Sequence, residues 1–418
     1  MKDSVKVVDR CRLCESKNLK KVIVLSKNPI GDRFFRDKQK ALECELHNVE
    51  VMLCEDCGQM QLNNEIEPGE VYVEEYLYTT STSVGLPEHF KESVKSIISG
   101  FNISKGLFIV EVGSNEGIML EVFKNEGMKV LGVDPSKIAV DKAMSRGIDT
   151  LCDFFSSDLS QKIIKQYGRA KIINANYVIA NIPDFKDVAR GIKELLDEDG
   201  VFVFETGYAY SVIQKHLIDT IYHEHISYFT ATALARLFES CGLELFDAEE
   251  IWTKGGSLRG YVGKPRRFEK TDSLSRILQQ EKEFFANKDK IFVNFQKNLE
   301  FFRNKIEVLG KEIKERNGKL VVYGASVGGV MMVYHLGLSH LIDCFVDDNV
   351  AKIGAFCPNL GVPVLDSKIL ENGGIKEVIS VAWRFMEPIT KKHKKFLEDG
   401  GKFYSLDLTS LEIKEYGK

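Results

Sequence analysis

Through the middle of the chain, short apolar runs alternate with longer amphipathic stretches, the rhythm of buried strands covered by helices. Leu107-Phe108-Ile109-Val110-Glu111-Val112-Gly113 predicts a buried strand, and Ile118-Met119-Leu120-Glu121-Val122-Phe123 the helix that follows the turn Ser114-Asn115-Glu116-Gly117. The pattern repeats at Lys129-Val130-Leu131-Gly132-Val133, which runs into Asp134-Pro135-Ser136. Further strands are predicted at Lys171-Ile172-Ile173-Asn174-Ala175-Asn176 and Val201-Phe202-Val203-Phe204-Glu205, with a helix over 188–196 between them. From 273 to 316, Phe, Ile and Leu recur among Lys and Glu as in a long amphipathic helix or helix pair. A second strand, glycine turn and helix follows at Lys319-Leu320-Val321-Val322-Tyr323-Gly324-Ala325-Ser326-Val327-Gly328-Gly329-Val330, and a strand at Ile342-Asp343-Cys344-Phe345-Val346. The fold class is α/β, with two Rossmann-like units. Near the N-terminus, Lys21-Val22-Ile23-Val24-Leu25 predicts a strand, and the hydroxyl-rich 74–83 lacks helical period and reads as a loop.

Composition narrows the setting. At 418 residues the chain exceeds what one core organises, so two or three domains are expected. An apolar share of 44% and a charged share of 28% fit a soluble protein, and a net charge of -4 gives no reason to expect nucleic acid. The start Met1-Lys2-Asp3-Ser4-Val5-Lys6 holds no apolar export signal and no stretch is long enough to span a bilayer, so a cytoplasmic protein without membrane contact is expected. In that reducing compartment the nine cysteines are thiols or metal ligands. With no heptad seam and no sticky strand visible, a monomer is expected.

Four cysteines form two pairs, Cys11-Arg12-Leu13-Cys14 and Cys54-Glu55-Asp56-Cys57-Gly58. Each CxxC turn aims two sulfurs at one point, and two turns supply the tetrahedral thiolate set of structural Zn(2+), leaving no open position for a catalytic water. Cys44, between the pairs, is expected to be a core thiol.

The turn after the first central strand reads Glu111-Val112-Gly113-Ser114-Asn115-Glu116-Gly117 instead of GxGxxG. Its glycines admit close approach of a ligand to the backbone, while the carboxylates of Glu111 and Glu116 repel a pyrophosphate and suit a cation. S-adenosylmethionine is therefore favoured over a dinucleotide. Gly113, Asn115 and Gly117 form the turn, Asp134 is placed to accept from both ribose hydroxyls, with Pro135 and Ser136 beside it, and Asp153 with Phe154 is placed to flank the adenine. Asn176, Asn181 and Glu205, at strand ends, are expected to face the cofactor or the substrate.

Tyr222-His223-Glu224-His225 packs two of the chain's eight histidines beside a carboxylate and a phenol. On a helix His223 and His225 point apart, so one of them is expected to be structural. The i,i+2 spacing also disfavours the helical zincin arrangement.

Taken in order, Cys11-x-x-Cys14, Cys54-x-x-Cys57-Gly58, Glu75-Tyr76-Leu77-Tyr78, the 111–117 turn, Gly132-Val133-Asp134-Pro135-Ser136, Ile221-Tyr222-His223-Glu224-His225-Ile226-Ser227-Tyr228-Phe229 and Gly255-Gly256-Ser257-Leu258-Arg259 resemble the S-adenosylmethionine-dependent sugar C-methyltransferases over nearly the whole chain. The resemblance implies a zinc-binding domain over 1–75, a methyltransferase domain over 76–265, and over 266–418 a helical connector with a Rossmann-like domain that helps hold a nucleotide-linked sugar substrate. It implies methylation of a carbon α to a ketone through an enolate. His225 would be the base, Glu224 would orient it or bind a sugar hydroxyl, and Tyr222 and Tyr76 would position the substrate or donate to its oxygen. Two departures stand out: Asn181 occupies the place of an active-site histidine before Ile182-Pro183-Asp184, and the C-terminal turn reads Ala325-Ser326-Val327-Gly328 where the family often has a lysine. Its amides either take a diphosphate or form a structural turn with no ligand. An O- or N-methyltransferase and a non-catalytic nucleotide-sugar-binding protein are the alternative readings.

Overall fold

The computed structural model describes residues 5–66, 80 and 85–417. Tyr76 and the predicted 74–83 loop, Thr80 excepted, lie outside the described residues.

The central sheet has seven strands in the order Glu244–Ile251, Ser257–Gly263, Leu196–Gly207, Ala170–Asn176, Phe108–Val112, Lys129–Val133, Thr150–Leu151. All pairings are parallel except those of Ser257–Gly263, which runs antiparallel to both neighbours. The strand order reverses beside Phe108–Val112, and ligand crevices of open α/β sheets form at such a point, outside the carboxyl ends of the strands. The helix predicted over 188–196 runs Phe185–Leu195, starting earlier because the Asp184 carboxylate accepts from the Asp187 amide and caps it.

A second sheet joins Leu19–Asn28, His47–Cys54 and Met60–Leu62 to Ser227–Tyr228, a strand contributed from far along the chain. Cys44 lies only half-buried near this sheet, its Sγ 3.6 Å from the Lys40 carbonyl, and is not the core thiol expected. A third, six-stranded sheet runs Val364–Asp366, Cys344–Asp347, Val321–Tyr323, Glu377–Ser380, Lys402–Asp407, Glu412–Tyr416, parallel but for the last strand.

The predicted amphipathic region is a helix pair, Asp272–Ala286 and Lys288–Asn317, broken at Asn287. Phe292, Phe295, Leu299, Phe302, Ile306, Gly310 and Ile313 line one buried stripe of the longer helix, at the three- and four-residue steps a core-facing helix requires. The shorter helix is keyed to the central domain by Glu281. Its fully buried carboxylate accepts from the Ala231 amide (2.7 Å), the Thr232 amide (2.8 Å) and the Tyr208 hydroxyl (2.9 Å), capping the helix Ala231–Ser240. No helix among the described residues is long and apolar enough to cross a membrane.

Candidate active site and metal centre

The four predicted cysteines converge, with all four sulfurs within 4.8 Å of one another. Cys11 and Cys57 stand 3.6 Å apart, as do Cys14 and Cys54. A tetrahedral site with Zn–S bonds of about 2.3 Å has edges of about 3.8 Å, so the donor set fits zinc in kind, number and spacing. Gly58 takes φ +81° to close the second knuckle, and a β-carbon there would lie 3.1 Å from the Phe285 ring. Asp56 ties the two knuckles together by accepting from Ser16 (2.5 Å) and Asn18 (2.8 Å).

The cofactor turn lies at the reversal of strand order. Gly113 has φ +69° and a β-carbon on it would strike Val178 at 2.6 Å; Gly117, at φ +72°, opens the next helix. Asp134 is buried and accepts from the amides of Asn115 (2.8 Å) and Ser136 (2.9 Å), which fixes the turn around it. Burial raises its pKa against those two bonds. Glu111 is more isolated: burial pushes its carboxyl up to about 8, against a bond from Asn176 and helped by the nearby Asp134, and its Oε2 has no partner among the described residues. The buried Ser114 hydroxyl and the side-chain amide of Asn174 also lack partners among the described residues. Buried polar groups left open in this way are what a polar, cationic ligand satisfies, so the residues present fit S-adenosylmethionine. Pro135 is half-buried and Ser136 caps the next helix. Asp153 and Phe154 are exposed, and Asn176 bonds the Met119 sulfur at 2.9 Å. Glu205 does not open toward a ligand. Burial raises its pKa, but the His89 bond (2.8 Å) and Arg259 (2.6 Å) outweigh this and hold the carboxyl below its usual range.

The Tyr-His-Glu-His segment is an irregular loop held from two sides, which explains how histidines two apart can serve different surroundings. On the side of the six-stranded sheet, Arg384 and Trp383 hold Asp219, and a β-carbon on Gly328 would meet the Asp219 carbonyl at 2.6 Å. On the N-terminal side, Ser227 and Tyr228 pair with Gln61 and Met60. His223 is buried there, its Nε2 donating to the Asn48 carbonyl at 3.2 Å, and burial lowers its pKa to about 4. Glu224 lies against Gly31, where a β-carbon would sit 2.2 Å from Oε1. His225 Nδ1 donates to the Thr220 carbonyl at 2.9 Å, leaving Nε2 as the basic nitrogen, which accepts from the Tyr222 hydroxyl at 3.0 Å. Burial, then the charge of Lys254, lowers its pKa to about 4 against the Thr220 bond, so it is neutral at neutral pH. Asn181 ends the short turn Ile179–Asn181, which packs on Ser227–Tyr228 and so stands on the same side as this segment.

The second glycine turn spends its amides internally. Ala325 N–H donates to Asp347 at 2.6 Å and Gly329 N–H to the Ser326 hydroxyl at 3.1 Å, while the buried Lys352 donates to the Ala325 carbonyl (2.9 Å) and pairs with Asp32. Two amides offered to a diphosphate by the sequence pattern are therefore already occupied.

Sequence reasoning did not single out Gly31, His89, Tyr177, Lys254, Lys352 or Arg384, whose roles come from partners far away in the chain. A run of Lys-Gly-Gly before Ser257 was the one local sign of a tight turn at Lys254.

Comparison with known proteins follows the same division. A zinc binding domain family matches residues 11–72, a methyltransferase domain family residues 92–248, and a C-methyltransferase C-terminal domain family residues 252–406. The chain is similar to the C-methyltransferase NovU of Streptomyces niveus, 28% identical over 405 residues that cover 96% of each protein. A ubiquinone biosynthesis O-methyltransferase of Coxiella burnetii is 22% identical over 158 residues, 35% of this chain and 68% of that protein. Among solved structures, magnesium protoporphyrin IX methyltransferase from Synechocystis PCC 6803 with bound SAH aligns at 13% identity over 47% of this chain and 91% of its own, with a TM-score of 0.35. The plantazolicin methyltransferase BpumL aligns at 12% over 44% and 86%, with a TM-score of 0.37. With its thiolate cluster, its cofactor turn and these three matches in order, the chain is an S-adenosylmethionine-dependent methyltransferase that carries an N-terminal zinc-binding domain and is similar along its length to a C-methyltransferase.

Proposed function

We propose that the protein methylates a carbon α to a ketone in a nucleotide-linked deoxysugar, with His225 as the base that makes the enolate. The observation that carries this reading is the fixed tautomer of His225: Nδ1 is committed to the Thr220 carbonyl and Nε2 is a neutral, lone-pair-bearing nitrogen at the Tyr222 hydroxyl. Carbon methylation needs such a base, because the α-proton must leave before the carbon becomes nucleophilic. S-adenosylmethionine, when bound at Glu111, the 113–117 turn and Asp134, supplies an electrophilic methyl group. Glu224, seated against Gly31, would take a sugar hydroxyl; Tyr222, Tyr76 and the amide of Asn181 would position the ketone. The similarity to the C-methyltransferase NovU over 96% of each protein supports methylation at carbon. We also divide the chain at 75 and 265, a division supported by the end of the central sheet at Gly263.

The test is solvent exchange. The enzyme is incubated in heavy water with thymidine-, uridine- and guanosine-diphosphate 4-ketodeoxyhexoses, with S-adenosylhomocysteine in place of the cofactor. Deuterium should enter one α-carbon of the accepted sugar, and His225→Asn should slow exchange by about 10²- to 10⁴-fold. Turnover with no exchange would mean heteroatom methylation instead.

A further inference from the structure

The turn between Glu244–Ile251 and Ser257–Gly263 holds a lysine in an awkward backbone. Lys254 has φ +52° and ψ 24°, the left-handed region that side chains other than those of Gly, Asn and Asp seldom enter, and Gly255 and Gly256 follow at φ +90° and +144°. The surroundings enforce this shape. A β-carbon on Gly255 would stand 2.8 Å from the Arg384 guanidinium, and one on Gly256 2.7 Å from Ser211. Ser257 Oγ–H donates to the Thr253 carbonyl at 2.9 Å, and Lys215 to the Gly255 carbonyl at 3.2 Å. The turn aims the Lys254 ammonium at the Tyr177 ring, 4.0 Å from its centroid. Tyr177 is itself left-handed, at φ +56°; it directly follows Asn176 on the cofactor side of the sheet, and its hydroxyl bonds Thr253 at 2.5 Å. The same charge is felt at His225. One ammonium thus lies over the ring that follows the cofactor-side strand end, and its charge reaches the proposed base. A lysine serving only solubility has no need of a strained position that glycine would occupy more cheaply; strain held by a clamped turn marks a side chain placed for use.

We propose that Lys254 is the electrophilic catalytic residue: its ammonium hydrogen-bonds the substrate's ketone oxygen and takes the negative charge that grows there. This rests on the enolate reading above. As the α C–H bond breaks, the proton goes to His225 Nε2, the bonding pair becomes the carbon–carbon π bond, and the carbonyl π pair moves onto the oxygen facing Lys254. When the carbon takes the methyl, the S–CH3 pair stays on sulfur, the carbonyl re-forms and Lys254 is unchanged; His225 returns its proton to solvent. The Tyr222 hydroxyl is engaged by His225 and Asn181 offers a neutral amide, whereas a charged donor forms a bond about twice as strong. The position also discourages premature protonation of His225, which is hydrogen-bonded to the Tyr222 hydroxyl and the Thr220 carbonyl.

The experiment compares wild type with Lys254→Met, Lys254→Arg and Lys254→Gly in the exchange assay above, using whichever ketodeoxyhexose nucleotide the wild type accepts. Lys254→Met should slow α-exchange and kcat by about 10²- to 10³-fold with KM changed less than about threefold, and Lys254→Arg should recover part of the loss. Lys254→Gly relieves the strain, so it should fold at least as well as wild type and be as slow as Lys254→Met. It keeps the test alive if the methionine variant misfolds. In the free proteins, imidazole NMR should show His225 titrating at higher pH in Lys254→Met. Exchange within twofold of wild type in a folded Lys254→Met or Lys254→Gly, or a loss confined to KM, overturns the lysine's role and leaves the enolate reading standing. Turnover by the wild type without any exchange overturns both.

Discussion

Two residues carry their chemistry as displaced pKa values. Glu111, pushed up to about 8 by burial, is mostly protonated at pH 7 in the free protein. Raising the pH from 6 to 7.5 ionises a growing fraction, so affinity for the cationic cofactor should rise over that range, and calorimetry on Glu111→Gln should show weaker binding with the slope gone. His225 works the other way: with burial and Lys254 holding it near 4, kcat/KM of the free enzyme should stay level down to about pH 5 and fall only below, rather than near 6.5. The buried neutral histidines also tax acid stability. His223 and His335, each 2% exposed, have pKa values lowered by burial to about 4 and about 3. Unfolded, they titrate near 6.5, so the unfolded chain gains protons first and stability is lost as pH falls from about 6.5 through 4, by up to about 1.4 kcal/mol per pH unit for each. Urea melts at pH 7 and 5 measure it, and His335→Gln should flatten the dependence.

Elements here are joined by single buried groups, and two make clean tests. Glu281→Ala leaves the Ala231 and Thr232 amides and the Tyr208 hydroxyl without their shared acceptor, so the helix Ala231–Ser240 should detach from the connector at a cost of about 3 kcal/mol or more, read as a lower urea midpoint. Gly31→Ala puts a methyl into the space of the buried Glu224 Oε1 at a backbone φ of +41°; activity should drop at least about tenfold, and the strained backbone should lower the urea midpoint by the equivalent of about 1–3 kcal/mol. Such joints also mark what the sequence can and cannot disclose. The strands at 107–113 and 129–133, the helix pair over 273–316 and the cysteine set were legible because each depends on local periodicity or fixed spacing. Glu205 was misread as facing a ligand because nothing near it in sequence announces His89 and Arg259, which consume its charge. Cys44 likewise read as core and lies half-buried. The proposed base His225 was singled out through resemblance, but its tautomer depends on the Thr220 carbonyl, a fact of loop geometry that no pattern of residues encodes.

At the scale of the whole molecule, the zinc site and the proposed base are linked through one sheet. Cys54 ends the strand His47–Cys54, that strand pairs with Met60–Leu62, and Met60 and Gln61 pair with Tyr228 and Ser227, three and two residues beyond His225. Structural zinc in small domains supplies about 10–16 kcal/mol, comparable to or larger than the roughly 5–15 kcal/mol net stability of a domain, so its loss should loosen the N-terminal sheet outright. The edge strand Ser227–Tyr228 would then lose its partner, and Asn48 its hold on His223, so the loop that fixes His225 should slacken although no metal touches it. The cofactor turn rests on different strands, Phe108–Val112 and Lys129–Val133, and should survive. Chelation should therefore abolish methyl transfer while calorimetry still detects S-adenosylmethionine binding, and hydrogen exchange should accelerate over 47–62 and 227–228 but not over 108–112. Full activity in a sample shown by metal analysis to be zinc-free would break the link, and loss of cofactor binding together with activity would mean that the central sheet depends on the metal as well.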